Sequence, residues 1–298
     1  MKKPQKLENL LNKIHNVDCI KGMKDMPEGC VDLVITSPPY NVGIPYDEYK
    51  DDVMTMDEYF EWCKEWLTEV YRTLKDDGRV GINVPYEVNV QERGGRVFIA
   101  AKFWEIMEKI GFGFFGMVDL EEDSPHRSKT TAWGSFMSPS SPYIYNPKEC
   151  VILAYKKNHI KKVKGEPQWK YTEEVVEDEE RTVGVPKIKR IYIDKDKTEF
   201  MELVFGQWKY LNDTKSLTKA SFSLDIPMKA IKILTYRDEV VMDIFGGSCT
   251  SAIACLKTRR NYIIFELSKK YCEIGRKRIS DFKYTGVQLN LFESEEEN

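Results

Sequence analysis

The apolar positions of this chain fall into two alternating rhythms. Val31, Leu33, Val34, Ile35 and the β-branched Thr36 form an almost unbroken apolar run, as in a strand buried on both faces. The run enters Ser37-Pro38-Pro39-Tyr40, where two prolines, each lacking the N–H that a ladder needs, stop the strand. Further on, Phe60, Cys63, Leu67, Val70 and Leu74 recur at steps of three and four, which predicts a helix over Tyr59 to Leu74. Thr55 and Glu58 ahead of it have capping-box spacing.

Short strand patterns at Lys13 to Cys19, Arg79 to Val84, Phe114 to Leu120, Cys150 to Tyr155, Val240 to Asp243 and Tyr262 to Glu266 alternate with helical stretches. The helices are expected at Ile20 to Met26, Val97 to Ile110, Met228 to Leu234 and Ser251 to Lys257. This alternation predicts an α/β protein with a parallel sheet. Asp18 and Ser37 should then lie at neighbouring strand ends, Asp18 as a site residue or as a helix cap. Gly111, Gly113 and Gly116 match G-x-G-x-x-G in letters. They follow a helix and open a strand, whereas a phosphate loop follows a strand and opens a helix. Gly111 reads as a helix C-cap.

Two stretches break the rhythm. Residues 121–147 are rich in Ser, Thr and Pro, and Trp133 stands there among Arg127, Lys129 and Ser135. This is either a nucleic-acid contact surface or a surface loop with one anchoring Trp. Residues 156–217 carry basic and acidic runs and are expected to be an inserted recognition region, with Lys161 and Lys162 as candidate DNA contacts. The organisation expected is one domain: a first half (13–155), the insertion (156–217), a second half (218–282) and a disordered acidic tail (291–298).

Composition narrows the class. With 42% hydrophobic and 31% charged residues in 298, the chain is globular and water-soluble. No apolar run approaches the ~20 residues of a membrane span, and Met1 to Pro4 lead into no secretory signal. The seven cysteines are scattered and never spaced C-x-x-C, which suits reduced thiols in a cytoplasm. Three distant histidines offer no metal site. A net charge of −3 leaves nucleic-acid binding to local basic patches.

Two motifs carry chemistry. The turn after Thr36 presents the Ser37 hydroxyl, the Pro38 carbonyl and the Tyr40 ring at the C-terminal end of a strand, where open α/β sheets keep their sites. Acceptors beside an aromatic suit a planar group bearing an NH2, such as a nucleic-acid base; a plain strand-end turn is the other reading. Later, Asp243-Ile244-Phe245-Gly246-Gly247-Ser248-Cys249-Thr250 links a strand to a helix, and the next strand ends in Glu266. Strand, glycine turn, helix, strand and acid form a mononucleotide-binding half, the acid placed to accept from ribose hydroxyls. The turn is neither G-x-G-x-x-G nor followed by a P-loop Lys, which favours a ribose ligand without phosphate: S-adenosylmethionine (SAM).

Together, Ser37-Pro38-Pro39-Tyr40 early and Asp243 to Thr250 late resemble the DNA amino-methyltransferases of the cytosine-N4/adenine-N6 family, in the permuted order of its β group. Asp18-Cys19, Thr131 to Ser135 and Lys219-Ala220-Ser221-Phe222 also resemble family segments. The resemblance implies a Rossmann-like, mostly parallel seven-stranded sheet with one antiparallel strand. It implies catalytic Ser37, Pro38, Pro39 and Tyr40, and SAM held by Asp18, Cys19, Ser221, Phe222, Asp243, Phe245, Gly246, Gly247, Ser248, Thr250 and Glu266. No metal is expected. The expected partner is double-stranded DNA, contacted by Arg127, Lys129, Trp133, Ser135, Lys161 and Lys162. The resemblance also implies a cognate restriction endonuclease as a partner and a homodimer, with the Tyr59 to Leu74 helix as the candidate interface. Cys249 departs from the family, which has Gly there; its Cβ disfavours positive φ, so the loop is expected to use ordinary angles or to bind SAM less tightly. Ser before Pro-Pro-Tyr favours cytosine N4 over adenine N6. Methylation of RNA or protein amides, whose enzymes carry Asn there, and a SAM-binding protein without catalysis are the remaining alternatives.

Overall fold

A computed structural model describes the chain apart from residues 1–3, 47–48, 51–53, 91–94, 123–134, 136, 143, 145, 170, 177–186, 212–222 and 297–298. A 3-10 turn over Leu7–Asn9 leads into β1 (Lys13–Asn16), α1 (Cys19–Lys24) and β2 (Val31–Thr36). Two small strands, β3 (Pro45–Tyr46) and β4 (Tyr49–Lys50), precede α2 (Met56–Thr73) and β5 (Leu74–Pro85). The hairpin of β6 (Val88–Val90) and β7 (Gly95–Val97) then leads to α3 (Ile99–Ile110), β8 (Gly113–Glu122) and β9 (Glu149–Tyr155). Next come β10 (Tyr171–Val176), β11 (Lys187–Tyr192), α4 (Asp194–Val204), β12 (Gln207–Tyr210) and α5 (Asp225–Leu234). The chain closes with β13 (Val240–Asp243), α6 (Thr250–Thr258), β14 (Asn261–Glu266) and α7 (Lys269–Glu296).

The main sheet has the order β1-β14-β13-β2-β5-β9-β8-β12. Only β9 runs against its neighbours. Every residue of β2 is buried, as expected of a central parallel strand covered on both faces. One face carries α1, α2 and α3 over a core that includes Met23, Trp66, Leu67 and Phe103; the other carries α5 and α6 over Leu33, Ile35, Ile231, Ala252 and Ile264. The capping box at Thr55 and Glu58 forms and starts α2. Tyr59, Cys63, Trp66, Leu67 and Val70 all face inward. The apolar face of this helix is therefore spent on the core, so a second copy docked on this helix would meet its polar face.

Three other expectations change. The sheet has eight strands rather than seven, because β12, from the supposed insertion, pairs with β8. Trp208 is why: its ring is only 1% exposed, and its indole N–H donates to the Leu203 carbonyl at 2.8 Å. The segment outside the sheet is the β10–β11 hairpin, whose register sets Glu173 opposite Arg190 and Glu174 opposite Lys189. At the C-terminus, α7 continues to Glu296, into the stretch expected to be disordered. The Gly111 to Gly116 run is a helix end and strand start, with Gly111 at φ 112° capping α3.

The basic run at 156–164 is also corrected. Lys161 Nζ lies 2.9 and 2.7 Å from the two Glu239 carboxylate oxygens and 3.7 Å from Asp32 Oδ1. Asp32 and Glu239 stand where β2 and β13 begin, the edge opposite Ser37. Lys162 is exposed on that same edge, with its backbone N–H donating to Asp77 at 2.9 Å. Neither lysine is placed at the site: Lys161 answers Asp32 and Glu239, and Lys162 stands on the same N-terminal edge. Among the described residues, no helix is long and apolar enough to cross a membrane.

Removing Lys161 leaves Asp32 and Glu239 repelling each other inside the edge, offset in part by Lys75 at 2.7 Å from Asp32 and by the Tyr236 and Val240 N–H donors. Lys161→Ala is expected to lower unfolding free energy by about 3 kcal/mol, and Lys162→Ala by less than about 0.5 kcal/mol. Urea denaturation at pH 7 measures both.

Candidate active site

The prolines after β2 are held as well as intrinsically stiff. The Tyr59 hydroxyl, on the first turn of α2, donates to the Pro39 carbonyl at 2.7 Å. The Tyr40 hydroxyl reaches the Asn83 carbonyl at 3.4 Å and lies 2.8 Å from Ser37 Oγ. When Tyr40 gives its proton to Asn83, Ser37 donates to the Tyr40 oxygen and keeps its own lone pairs as acceptors. Among the described residues nothing donates to the Pro38 carbonyl. Asn41, in a left-handed conformation (φ 58°), fastens the following loop by donating to the Met54 carbonyl at 2.9 Å.

The glycine turn after β13 lies on the same sheet edge. Asp243 is 2% exposed. Thr36 Oγ1 donates to its Oδ1 at 2.6 Å, Ser251 Oγ to its Oδ2 at 2.6 Å, and the Phe245 N–H to Oδ1 at 3.1 Å. Burial pushes its pKa up, against these three bonds. Gly246 packs against β14, where an added Cβ would come 2.2 Å from Ile264 Cγ2. Gly247 has φ 49°, and a Cβ there would meet nothing within 4 Å, so the turn opens outward at this residue. Its N–H donates to Glu266 Oε2 at 2.7 Å, and the Ser268 N–H to Oε1 at 2.7 Å. Burial raises the Glu266 pKa, and the backbone donors oppose it. Asn16 bridges β1 to β14 through the Glu266 and Leu267 carbonyls at 3.0 and 2.8 Å.

A family model described as DNA methylase matches residues 31–277. The chain belongs to this DNA methylase family. It is 33% identical over 207 residues to the Type II methyltransferase M.MjaVI of Methanocaldococcus jannaschii, covering 68% of this chain and 90% of that one. The Type II methyltransferase M.ScaI of Streptomyces caespitosus is 24% identical over 273 residues, 89% of this chain and 80% of the relative. The DNA modification methylase TTHA0409 of Thermus thermophilus, solved with SAM, superposes with a TM-score of 0.64 at 19% identity, over 91% of this chain and 93% of that one. The PvuII DNA methyltransferase gives 0.62 at 18% identity, over 90% of each chain.

The methylase family takes its methyl group from SAM, and the residues present fit that molecule. Gly247 leaves open space above the turn, Glu266 holds a carboxylate at the adjoining strand end, and both lie on the edge that carries Ser37. Among the described residues, no cluster of His, Cys, Asp or Glu could hold a metal ion.

Several residues expected to touch the cofactor also brace the methylase's turn. Asp243 is sealed by its three donors. Ser248 and Thr250 are 5% and 3% exposed, and Arg278 of α7 donates to the Thr250 hydroxyl at 2.8 Å and to Ser248 Oγ at 3.2 Å. Phe245 packs on Trp62 and Trp66, with ring centroids 5.6 and 5.4 Å away. Asp18 caps α1 by accepting from the Lys21 N–H at 3.0 Å, beside the Glu266 strand end. Cys19 is buried under α1, where burial first and then the Asp18 carboxylate push its thiol pKa far up. Ser135 closes a local turn, donating to the Ser138 carbonyl and accepting from the Ser141 N–H, both at 2.8 Å. Ser221, Phe222, Arg127, Lys129 and Trp133 lie outside the described residues.

Cys249 does not avoid the glycine geometry; it adopts it, at φ 60° and ψ 38°. Its N–H donates to the Gly246 carbonyl at 2.6 Å. Room for its side chain comes from α7, where a Cβ on Gly275 would lie 2.3 Å from the Cys249 sulfur. Sequence reasoning passed over Thr36, Ser251, Tyr59, Asn83 and Arg278. A hydroxyl next to each motif was the available signal for Thr36 and Ser251.

Gly275→Ala is expected to cost about 1–3 kcal/mol by overpacking, and most of that cost should vanish in a Cys249→Gly background. A double-mutant cycle by urea denaturation checks the coupling; additive effects would show that the two residues do not share this space.

Proposed function

We propose that the protein methylates the exocyclic N4 of cytosine in double-stranded DNA, at a base turned out of the helix into the edge formed by Ser37 to Tyr40. The observation that carries this is the Ser37 hydroxyl, poised at 2.8 Å from Tyr40 with acceptor capacity to spare, beside the Pro38 carbonyl. An exocyclic amine is a weak nucleophile because its lone pair is delocalised into the ring. Two acceptors, one for each N–H, orient the amine and favour a pyramidal nitrogen with its lone pair directed away from the ring. Tyr40 stacks on the base, worth about 1–3 kcal/mol and enough to offset much of the extrusion cost. When bound, SAM supplies an electrophilic methyl group on a sulfonium that leaves readily, so this chain needs no cysteine nucleophile.

Cytosine is favoured because Ser, rather than Asp, precedes Pro-Pro-Tyr. The PvuII enzyme of the same fold is cytosine-N4-specific. Adenine N6 is the alternative on the same scaffold. Relatives named Type II methyltransferases support a place beside a restriction endonuclease that cuts the unmodified site.

Unmethylated genomic DNA incubated with the protein and SAM, digested and examined by nucleoside mass spectrometry, is expected to yield 4-methyl-deoxycytidine. A 6-methyl-deoxyadenosine product would transfer the same mechanism to adenine. Tyr40→Ala should lower kcat/KM by about 5- to 150-fold, the equivalent of the lost stacking, while SAM affinity by calorimetry changes less than about threefold. Equal loss of both would remove Tyr40 from the base site.

A further inference from the structure

The C-terminal edge of the sheet carries a second polar element, one strand beyond Ser37. An added Cβ on Gly81 would meet Ile35 and Leu153, so these three positions share a sheet face. Two residues further along each strand, the same face presents Asn83 on β5 and then Val151 and Glu149 on β9, with Asn83 opposite Val151 and Pro85 opposite Glu149. Asn83 is 1% exposed. Its side-chain N–H donates to Glu149 Oε2 at 2.8 Å, while its backbone carbonyl receives the Tyr40 hydroxyl. An unbroken path of polar contacts thus runs from Ser37 through Tyr40 and Asn83 to Glu149. Among the described residues nothing donates to Glu149 Oε1.

The electrostatic surroundings of Glu149 are one-sided. Glu122, at the end of β8, and Tyr210, at the end of β12, stand opposite each other in register and border it on the same face. Asp119 and Cys150 lie in register on the other face, Asp119 bonded by the Tyr86 hydroxyl. Among the described residues no Lys or Arg pairs with Glu149. Burial raises the Glu149 pKa, the Asn83 amide opposes this, and Glu122 adds to it. Burial also pushes the Tyr210 phenol up to about 12, so it faces Glu149 uncharged. A carboxyl in these surroundings holds its proton to higher pH than an ordinary one.

We propose that Glu149 reads the extruded base: its carboxyl, oriented by Asn83, donates a hydrogen bond to the ring nitrogen adjacent to the target amine. This rests on the base-methylation reading above and adds a specificity-determining contact to it. In cytosine that ring nitrogen is N3 and in adenine N1, both acceptors; in thymine and guanine the corresponding nitrogen carries a hydrogen and cannot accept. Two acceptors at Ser37 and Pro38 followed by a donor at Glu149 match an amino base and reject a keto base on both counts. Two strand spacings and an offset of two residues along the strands, together about 12 Å, separate the backbone at Ser37 from that at Glu149. The edge of one ring plus a glutamate side chain fills that span.

The test uses the full-length protein, tritiated SAM and unmethylated genomic DNA, with kcat/KM followed from pH 6 to 10. Wild-type activity is expected to fall with rising pH as the donor is lost. Glu149→Gln, a donor at every pH, should stay within about threefold of wild type at pH 6.5 and lack that alkaline fall. Glu149→Ala should be about tenfold slower or worse at all pH values, with SAM affinity and melting temperature close to wild type. Should the Ala variant not fold, the Gln profile decides alone. Activity that rises with pH and disappears in Glu149→Gln would make Glu149 a carboxylate proton acceptor and overturn the proposal, as would Gln and Ala variants with the wild-type profile. No methyl incorporation into any base by the wild type would overturn the base-methylation reading itself, and this proposal with it.

Discussion

The carboxyl group of Asp243 ties together segments 207 residues apart, because Thr36 of β2 donates to it directly. Its other oxygen takes Ser251, on the first turn of α6, and the Phe245 N–H folds the turn back over it. Leaving a carboxyl inside a protein is costly unless its lone pairs are filled, and these three donors fill them. The bond at Thr36 sits one residue before Ser37, so the position of the acceptor row is set by the residue that starts the cofactor turn. Base site and cofactor turn therefore cannot drift apart without exposing or orphaning this group.

The two edges of the sheet use polar residues in opposite ways. At the N-terminal edge, Lys75 and Lys161 neutralise Asp32 and Glu239, and the charges are paired off inside the fold. At the C-terminal edge the hydroxyls, carbonyls, amides and carboxyls around Ser37, Asn83, Glu149 and Asp243 have no Lys or Arg partners among the described residues; Arg278 sits beneath the glycine turn and Arg96 pairs with Glu87 beyond β5. A neutral base is recognised by hydrogen bonds in fixed directions, and directional neutral groups suit that task better than mobile ammonium charges.

The sheet and both motifs were legible because they rest on local rules. Buried strands need continuous apolar runs, prolines end them, and glycine turns mark strand-to-helix junctions. The roles inside the motifs were less legible. The bracing of Asp243, Ser248 and Thr250 is absent from a linear reading, since nothing in their neighbourhood announces that Thr36 and Arg278 will reach them from distant segments. The lysines at 161 and 162 misled for the same reason: their carboxylate partners are at Asp32, Asp77 and Glu239. Trp208 shows the remaining difficulty. One large aromatic moved a four-residue strand from a supposed insertion into the main sheet, and no periodicity over four residues could have marked it. Cys249 shows a local preference overridden, its left-handed backbone held by the surrounding turn and accommodated by Gly275.

The strand order β1-β14-β13-β2 places the last two strands of the chain between the first two. The central gap of the sheet can be filled only once residues 240–266 are available. A ribosome releasing this chain from its N-terminus exposes β2, with its prolines and Tyr40, long before Thr36 finds Asp243. Until then the apolar faces of Leu33 and Ile35 have half their cover and an open edge for pairing. Such non-local closure is slow and exposed to aggregation. The same arrangement means that a truncated chain lacking its final strands presents the Ser37 to Tyr40 turn with neither a fixed position nor a cofactor beside it. Premature termination therefore leaves that turn without the carboxyl that fixes it.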